Sequence, residues 1–341
     1  MSSNIRIGIS IGDIHGIGLE IILKTFNKND LLKNFSTIIF GPHQQCFEYL
    51  TEKNIDKSLV KKIFSLDEIV ENKLNLLENK NYNHKVHLGI PSKESALISY
   101  ESLLHANSEL KAKKIDALVT APIDKYQIRK SISDFIGHTE FLEQNFKGES
   151  LMIMTSDVMK IAFVTGHIPL NKVSQEISTK KIIEKTKQLN YSLKQDFSIQ
   201  SPKIAVLGLN PHAGENGMLG IEDLTLIEPA IQKLNKEFSL DVTGPFPADS
   251  FFTKENLSKY DGILAMYHDQ GLIPFKTLSF SKGVNFTGGL NIIRTSPVHG
   301  VAYDIVNKNS ANEESFKQAV ITAYQIMQSR LNLKKLSSKE N

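Results

Sequence analysis

Three apolar runs most constrain what this chain can fold into, because a histidine follows each run closely. The runs are residues 160–165, 203–209 and 262–267, and they precede His167, His212 and His268, respectively. Segments with helical spacing of apolar residues separate the runs, at about 178–195 and 222–238. Strands that alternate with helices are typical of a parallel sheet covered by helices. The sequence therefore predicts an α/β fold.

The positions of the three histidines also suggest a function. In α/β sheets, ligands bind at the carboxyl ends of the strands. Three imidazoles with one open coordination position form a known catalytic zinc geometry, and imidazole suits Zn²⁺ or Co²⁺. A metal site at His167, His212 and His268 is one interpretation, with Asp249 and Asp269 as hydrogen-bond acceptors that orient the rings. The other interpretation is three neutral histidines that hydrogen-bond within loops.

A second set of polar residues points to a bound anion. Lys276, Asn285 and Arg294 each lie in an otherwise apolar or glycine-rich neighbourhood. A buried arginine needs an anionic partner, which is either a ligand phosphate or carboxylate, or an Asp or Glu of the chain. His138 and Thr139 form a further donor pair, although Thr139 is equally suited to cap a helix.

The first glycine-rich loop separates an apolar run at 5–11 from a helical pattern at 19–26. A strand, a glycine loop and a helix form a unit whose helix N-terminus is able to face an anion. The spacing Gly12, Gly16, Gly18 fits neither the dinucleotide-binding fingerprint nor the P-loop. A simple tight turn is the alternative interpretation.

Composition excludes several classes of protein. A length of 341 residues suits two lobes, and a net charge of +3 without a basic run argues against a nucleic-acid partner. The single cysteine, Cys46, cannot form an internal disulfide, which fits a reducing compartment. No apolar stretch approaches the length of a membrane span. We therefore expect a cytoplasmic protein with no membrane partner.

Seven motifs then occur in order between residues 12 and 304. They are Gly12-Asp13 with Gly16-Ile17-Gly18, Gly137-His138-Thr139-Glu140, Leu209-Asn210-Pro211-His212-Ala213-Gly214-Glu215, Pro247-Ala248-Asp249, Ala265-Met266-Tyr267-His268-Asp269-Gln270-Gly271, Gly283-Val284-Asn285-Phe286-Thr287, and Ile293-Arg294-Thr295-Ser296 with His299-Gly300. This set resembles the 4-hydroxythreonine-4-phosphate dehydrogenase family of pyridoxal phosphate biosynthesis, the PdxA family.

The resemblance implies a two-lobed α/β/α architecture like that of isocitrate and isopropylmalate dehydrogenases, with the active site in the cleft between the lobes. Lobe one would comprise about 1–128 and 300–341, and lobe two about 129–299. The resemblance also implies three sets of functional residues. The divalent-metal ligands, shared across a homodimer, would be His167, His212 and His268, and the substrate-binding residues would be His138, Thr139, Lys276, Asn285 and Arg294. The loop for the adenosine end of NAD or NADP would contain His299, Gly300 and Asp304. Zinc, cobalt or magnesium would be the metal.

The implied reaction is metal-assisted oxidation of 4-phosphohydroxy-L-threonine by NAD(P)⁺. The β-keto acid formed would decarboxylate to 3-amino-2-oxopropyl phosphate. Asp249, Asp269 and Lys276 are the candidates for the general base. The alternatives are a same-fold dehydrogenase for a four-carbon sugar-acid phosphate or a cis-diol carboxylate, and a non-redox metal enzyme or metabolite-binding protein.

Several positions depart from the family pattern. Ile14 and Leu19 stand where proline is common, and Val298 replaces a usual aspartate. Val306-Asn307 stands where Ala-Gly is typical. Because these changes lie at the first loop and the expected cofactor loop, they bear mainly on nucleotide binding.

Overall fold

The computed structural model describes residues 5–27, 30–78 and 85–337. The strands are β1 (Arg6–Ser10), β2 (Ser36–Phe40), β3 (Val60–Ile63), β4 (Leu74–Leu77), β5 (Ala117–Thr120), β6 (Gly148–Thr155), β7 (Lys160–Phe163), β8 (Lys203–Leu207), β9 (Asp241–Phe246), β10 (Gly262–Ala265), β11 (Val284–Leu290) and β12 (Arg294–Pro297). The α-helices are α1 (Gly18–Asn27), α2 (His43–Glu52), α3 (Lys93–Lys111), α4 (Lys125–Arg129), α5 (His138–Asn145), α6 (Val173–Glu176), α7 (Thr179–Gln195), α8 (Glu228–Phe238), α9 (Ala248–Phe251), α10 (Lys254–Lys259), α11 (His268–Ser279) and α12 (Glu314–Ser337). The predicted α/β class is confirmed.

The first of two compact units is drawn from residues 1–148 and 290–327. Its strands lie in the order β3-β4-β2-β1-β5-β12. In the central strand, Ile7 pairs in parallel with Thr37 on β2 and with Ala117 on β5. Ile7 and Ile9 are both fully buried, as expected for a parallel strand covered on both faces. The apolar run at 5–11 is therefore a central strand, as the sequence predicts.

The second unit is drawn from residues 149–289 and 328–341. Its strands lie in the order β11-β6-β7-β10-β8-β9. β10 pairs in parallel with both β7 and β8, whereas β6 runs antiparallel to β7. The three apolar runs that precede the histidines are thus neighbouring parallel strands. Their carboxyl ends therefore lie at one edge of the sheet.

The compact units and the predicted lobes have different bounds, and the lobe assignment stays a prediction. The predicted boundaries at 128/129 and 299/300 both fall inside the first unit. The physical reason is packing, because Phe135 and Leu142 are buried in the same core as Ile38. β12 likewise pairs with β5, through Thr295 and Val119. Within the described ranges, no helix is both long and apolar enough to cross a membrane.

Candidate active site

Two of the three strand-end histidines lie together. The ends of β7 and β10 are joined by a hydrogen bond of 3.1 Å from Thr165 N to Met266 O, and the Thr165 hydroxyl donates to the same carbonyl at 2.8 Å. The loops that follow place the rings of His167 and His268 with their centroids 5.0 Å apart. His268 Nδ1 lies 2.7 Å from Oδ1 of Asp269. A carboxylate at one ring nitrogen fixes the tautomer and leaves the other nitrogen as a ligand atom.

Gln270 holds the end of β10, which precedes His268, although the sequence interpretation did not assign it a role. Its Nε2 donates to Gly208 O at 2.6 Å, and its Oε1 accepts from Met266 N at 2.7 Å. The side chain therefore ties the end of β10 to the end of β8. The sequence offered one indication of this role, because Gln270 lies two residues after His268 within the same family motif.

His212 lies on a loop of unusual backbone conformation. Residues 212–216 all have positive φ, at 53, 52, 79, 42 and 55°. For residues with a Cβ, the left-handed region costs about 1–2 kcal/mol each. Buried Asp223 anchors the start of the loop, because it accepts from Leu209 N at 2.8 Å and from the Asn210 side chain at 2.9 Å. Strain retained in this way is typical of functional loops.

The three histidines do not form one cluster within a single chain. No group of three or more His, Cys, Asp or Glu side chains with metal-binding geometry occurs in the described part of the chain. The structure brings His167 and His268 together, and His212 is exposed outside that pair. Two imidazoles, one of them backed by a carboxylate, fit two ligand positions of a zinc-type site.

Arg294 forms the centre of a second cluster, in the first unit. It is only 3% exposed. Its Nε and Nη2 donate to the Thr120 hydroxyl at 3.1 and 2.7 Å. Burial lowers the pKa of Arg294 to about 10, and the nearby Glu140 carboxylate acts in the opposite direction. The guanidinium therefore remains a buried cation at neutral pH.

His138 lies beside this cation. It is the first residue of α5, it is 8% exposed, and its Nε2 is buried without a hydrogen-bond partner. Burial, followed by the charges of Arg294 and Lys125, lowers the pKa of His138 well below 6.5. Gly137 is the residue that caps α5, so the alternative role of Thr139 as the cap is wrong. A buried cation and a neutral imidazole whose Nε2 has no hydrogen-bond partner together form a site suited to an oxygen-rich anion.

The remaining candidate residues belong to the second unit. Lys276 lies on α11 and is half-buried, and Asn285 lies on β11 with its Oδ1 buried and without a hydrogen-bond partner. Asp249 is exposed on the short helix α9. Asp269 is also exposed, at 71% of its side chain, and is bonded to His268.

The expected cofactor loop packs against the first glycine loop within the first unit. Ile17 N donates to Val301 O at 3.0 Å. The Tyr303 hydroxyl donates to Asp13 Oδ2 at 2.8 Å, and burial raises the pKa of Asp13. His299 Nδ1 lies 3.1 Å from Gly300 O, and Asp304 is exposed. Sequence reasoning missed Tyr303, whose partner is nearly three hundred positions away.

The comparisons with known proteins give the family. The family model "Pyridoxal phosphate biosynthetic protein PdxA" matches residues 33–323. The chain belongs to this family.

Individual relatives agree with the assignment. A 4-hydroxythreonine-4-phosphate dehydrogenase of Bacteroides thetaiotaomicron is 40% identical over 336 residues, which cover 96% of this chain and 90% of the relative. A relative from Oceanobacillus iheyensis, whose name gives D-threonate 4-phosphate as its substrate, is 35% identical over 96% of this chain and 99% of its own. The crystal structure of the Klebsiella pneumoniae 4-hydroxythreonine-4-phosphate dehydrogenase matches with a TM-score of 0.82 and 29% identity, covering 96% of this chain and 99% of that one.

The positions that depart from the family pattern are accommodated by the structure. Ile14 and Leu19 are buried at 3% and 5% exposure, so both add to the apolar core beside the glycine loop. Asn307 has a φ of 69°. Among residues with a side chain, asparagine tolerates this left-handed conformation best, which explains how it replaces the family's glycine. Val306 is buried at 7% exposure.

Proposed function

We propose that this protein oxidises 4-phosphohydroxy-L-threonine with NAD⁺ or NADP⁺ in pyridoxal 5′-phosphate biosynthesis. The observation that carries the proposal is the buried cation Arg294 beside the neutral His138, whose Nε2 has no hydrogen-bond partner, in a chain of the PdxA family. A phosphate or carboxylate oxygen placed there would meet a charged donor and an imidazole. Thr139, Lys276 and Asn285 complete the proposed set of substrate-binding residues.

The proposed reaction is the oxidation of a secondary alcohol. A bound NAD⁺ or NADP⁺ would supply the hydride acceptor when the C3–H bond breaks, and the proton of the C3 hydroxyl would pass to a general base of this chain. The product, 2-amino-3-oxo-4-(phosphooxy)butanoate, would then lose its carboxylate as CO₂, take up a proton at C2 and become 3-amino-2-oxopropyl phosphate. Asp249, Asp269 and Lys276 are the candidate bases. Since Asp269 already accepts from His268, its geometry supports a role in orienting that ring.

The residues proposed to hold a divalent metal are His167, His212 and His268. A bound Zn²⁺, Co²⁺ or Mg²⁺ would supply Lewis-acid polarisation of the substrate hydroxyl. Because the His167–His268 pair lies apart from His212 in one chain, we propose that the ligand set is completed in a homodimer. His299, Gly300 and Asp304 are proposed to contact the adenosine end of the dinucleotide.

The test is formation of NADH or NADPH, followed by near-ultraviolet absorbance, with and without metal and with a chelator control. We expect metal-dependent turnover of 4-phosphohydroxy-L-threonine. Because one relative is named for D-threonate 4-phosphate, that compound is the matched second substrate. It differs at C2, where a hydroxyl replaces the amino group. Turnover of D-threonate 4-phosphate alone would reassign the substrate, and no reduction of either nucleotide by either compound would contradict the dehydrogenase proposal.

A further inference from the structure

Thr120 lies on the strand beside Arg294 and hydrogen-bonds its side chain. It is the last residue of β5, which pairs in parallel with β12, the strand that begins at Arg294. The Thr120 side chain is fully buried. Its hydroxyl oxygen accepts from Arg294 Nε at 3.1 Å and from Nη2 at 2.7 Å. These two nitrogens form one edge of the planar guanidinium, so the Thr120 hydroxyl holds that edge in place.

The group that orients Arg294 is a hydroxyl rather than a carboxylate, and this difference affects the charge of the site. An aspartate at this position would orient the guanidinium equally well, but it would also cancel its charge. A threonine hydroxyl is neutral, so it orients the group and leaves its positive charge in place. Burial lowers the pKa of Arg294 only to about 10, which keeps it charged at neutral pH. The Glu140 carboxylate also acts on this charge, and the Thr120 hydroxyl orients the guanidinium without adding a second negative charge.

The hydroxyl is not needed to hold the two strands together. Leu118 N donates to Ile293 O at 2.9 Å, and Ala121 N donates to Ser10 O at 3.0 Å. The backbone therefore joins β5 to both of its neighbours without the Thr120 side chain. A purely structural role would also be served by valine, which has the same shape and is favoured in buried strands.

We infer that Thr120 is the positioning residue of the anion site and sets its affinity by orienting Arg294. This inference rests on the proposed function in one respect, namely that Arg294 binds an anionic group of the substrate. Thr120 itself is not expected to touch the reacting atoms. Its loss should weaken binding of the anion rather than alter the chemical step.

The experiment compares T120V, which removes the hydroxyl but keeps the shape of the side chain, with T120S, which keeps the hydroxyl. T37V is the matched control, because Thr37 is also fully buried on a strand of the same unit and its hydroxyl has no hydrogen-bond partner. The affinity of each full-length protein for inorganic phosphate is measured by calorimetry, and KM and kcat are measured separately. Thermal unfolding verifies that each variant is folded, and T120A replaces T120V if the latter does not fold.

We expect T120V to weaken phosphate binding and to raise KM about tenfold or more, the effect of losing a hydrogen bond to a charged group. The kcat should change much less. T120S and T37V should stay within about a factor of three of the wild type. Phosphate affinity in T120V equal to that of the wild type, or an equal loss in T120S, would overturn the inference. The phosphate titration requires no turnover, so a wild type that binds phosphate but oxidises neither substrate would count against the proposed function alone.

Discussion

The Tyr303 hydroxyl donates to Oδ2 of Asp13 at 2.8 Å and lies 3.2 Å from Oδ2 of Asp124. One phenolic proton therefore serves two carboxylates, and it connects the first glycine loop to the expected cofactor loop. We expect Y303F to lower the free energy of unfolding by about 1–3 kcal/mol, because it removes one donor from the buried Asp13 carboxylate, which then keeps only His15 N and the Ser95 hydroxyl. Urea denaturation measures this change. Y126F is the control, since Tyr126 is 69% exposed.

The effect of Y303F should depend on pH. Burial raises the pKa of Asp13 in the folded protein above the usual 3.8, and the Tyr303 hydrogen bond partly opposes this. A group whose folded-state pKa is raised stabilises the folded protein at pH values below the unfolded-state pKa. This stabilisation is lost as the pH rises through the folded-state pKa. Removing the hydroxyl raises the pKa of Asp13 further. The difference between wild type and Y303F should therefore be largest at neutral pH and should shrink in acid; a constant difference would contradict this explanation.

The neutral state of His138 predicts a second pH dependence of stability, which arises from a lowered pKa rather than a raised one. Its pKa lies well below 6.5 in the folded protein, so the unfolded chain binds the proton more readily. The stability that depends on the neutral ring is present above about pH 6.5 and is lost as the pH falls towards the folded-state pKa. H138Q removes this contribution. Urea denaturation across this pH range should show the wild type losing stability relative to H138Q, and parallel curves would refute the prediction.

Asp269 is predicted to tune metal affinity through His268. An asparagine would replace the carboxylate at Nδ1 with a weaker, neutral acceptor. We expect D269N to bind Zn²⁺ or Co²⁺ about 10–100-fold more weakly, the usual effect of losing such an orienting partner. Isothermal titration of the full-length protein measures this affinity. D157N is the matched control, because Asp157 is an exposed aspartate of the same unit, 3.9 Å from Lys282. Equal affinities of D269N and D157N would remove Asp269 from the metal site.

Gly12 is predicted to tolerate no side chain. Its φ is 72°, and a Cβ there would lie 2.4 Å from Pro122 O, a backbone atom with little freedom to move. We expect G12A to reduce the free energy of unfolding by about 2 kcal/mol or more. G166A is the control, because a Cβ on Gly166 meets nothing within 4 Å. Chemical denaturation of both variants tests this difference, and similar stabilities would argue against the observed turn.

Much of the fold follows from local patterns in the chain. Apolar runs such as 203–209 and the helical spacing at 178–195 predicted elements that the structure places at Lys203–Leu207 and Thr179–Gln195. These patterns can be recognised in the sequence because the side-chain periods of strands and helices depend only on residues close together in the chain. The lobe boundaries were less predictable. They depend on which core receives Phe135 and Leu142, and no linker composition marks that choice.

The sequence by itself determined the α/β class, the family and the residue types of the candidate sites. Only the tertiary structure decided which of these residues meet. It paired His167 with His268 and left His212 apart, although all three follow neighbouring strands. It also joined Thr120 to Arg294 across 174 positions and Asp13 to Tyr303 across 290. Such contacts depend on strand order, register and loop conformation, which arise from packing of the whole chain rather than from local periodicity.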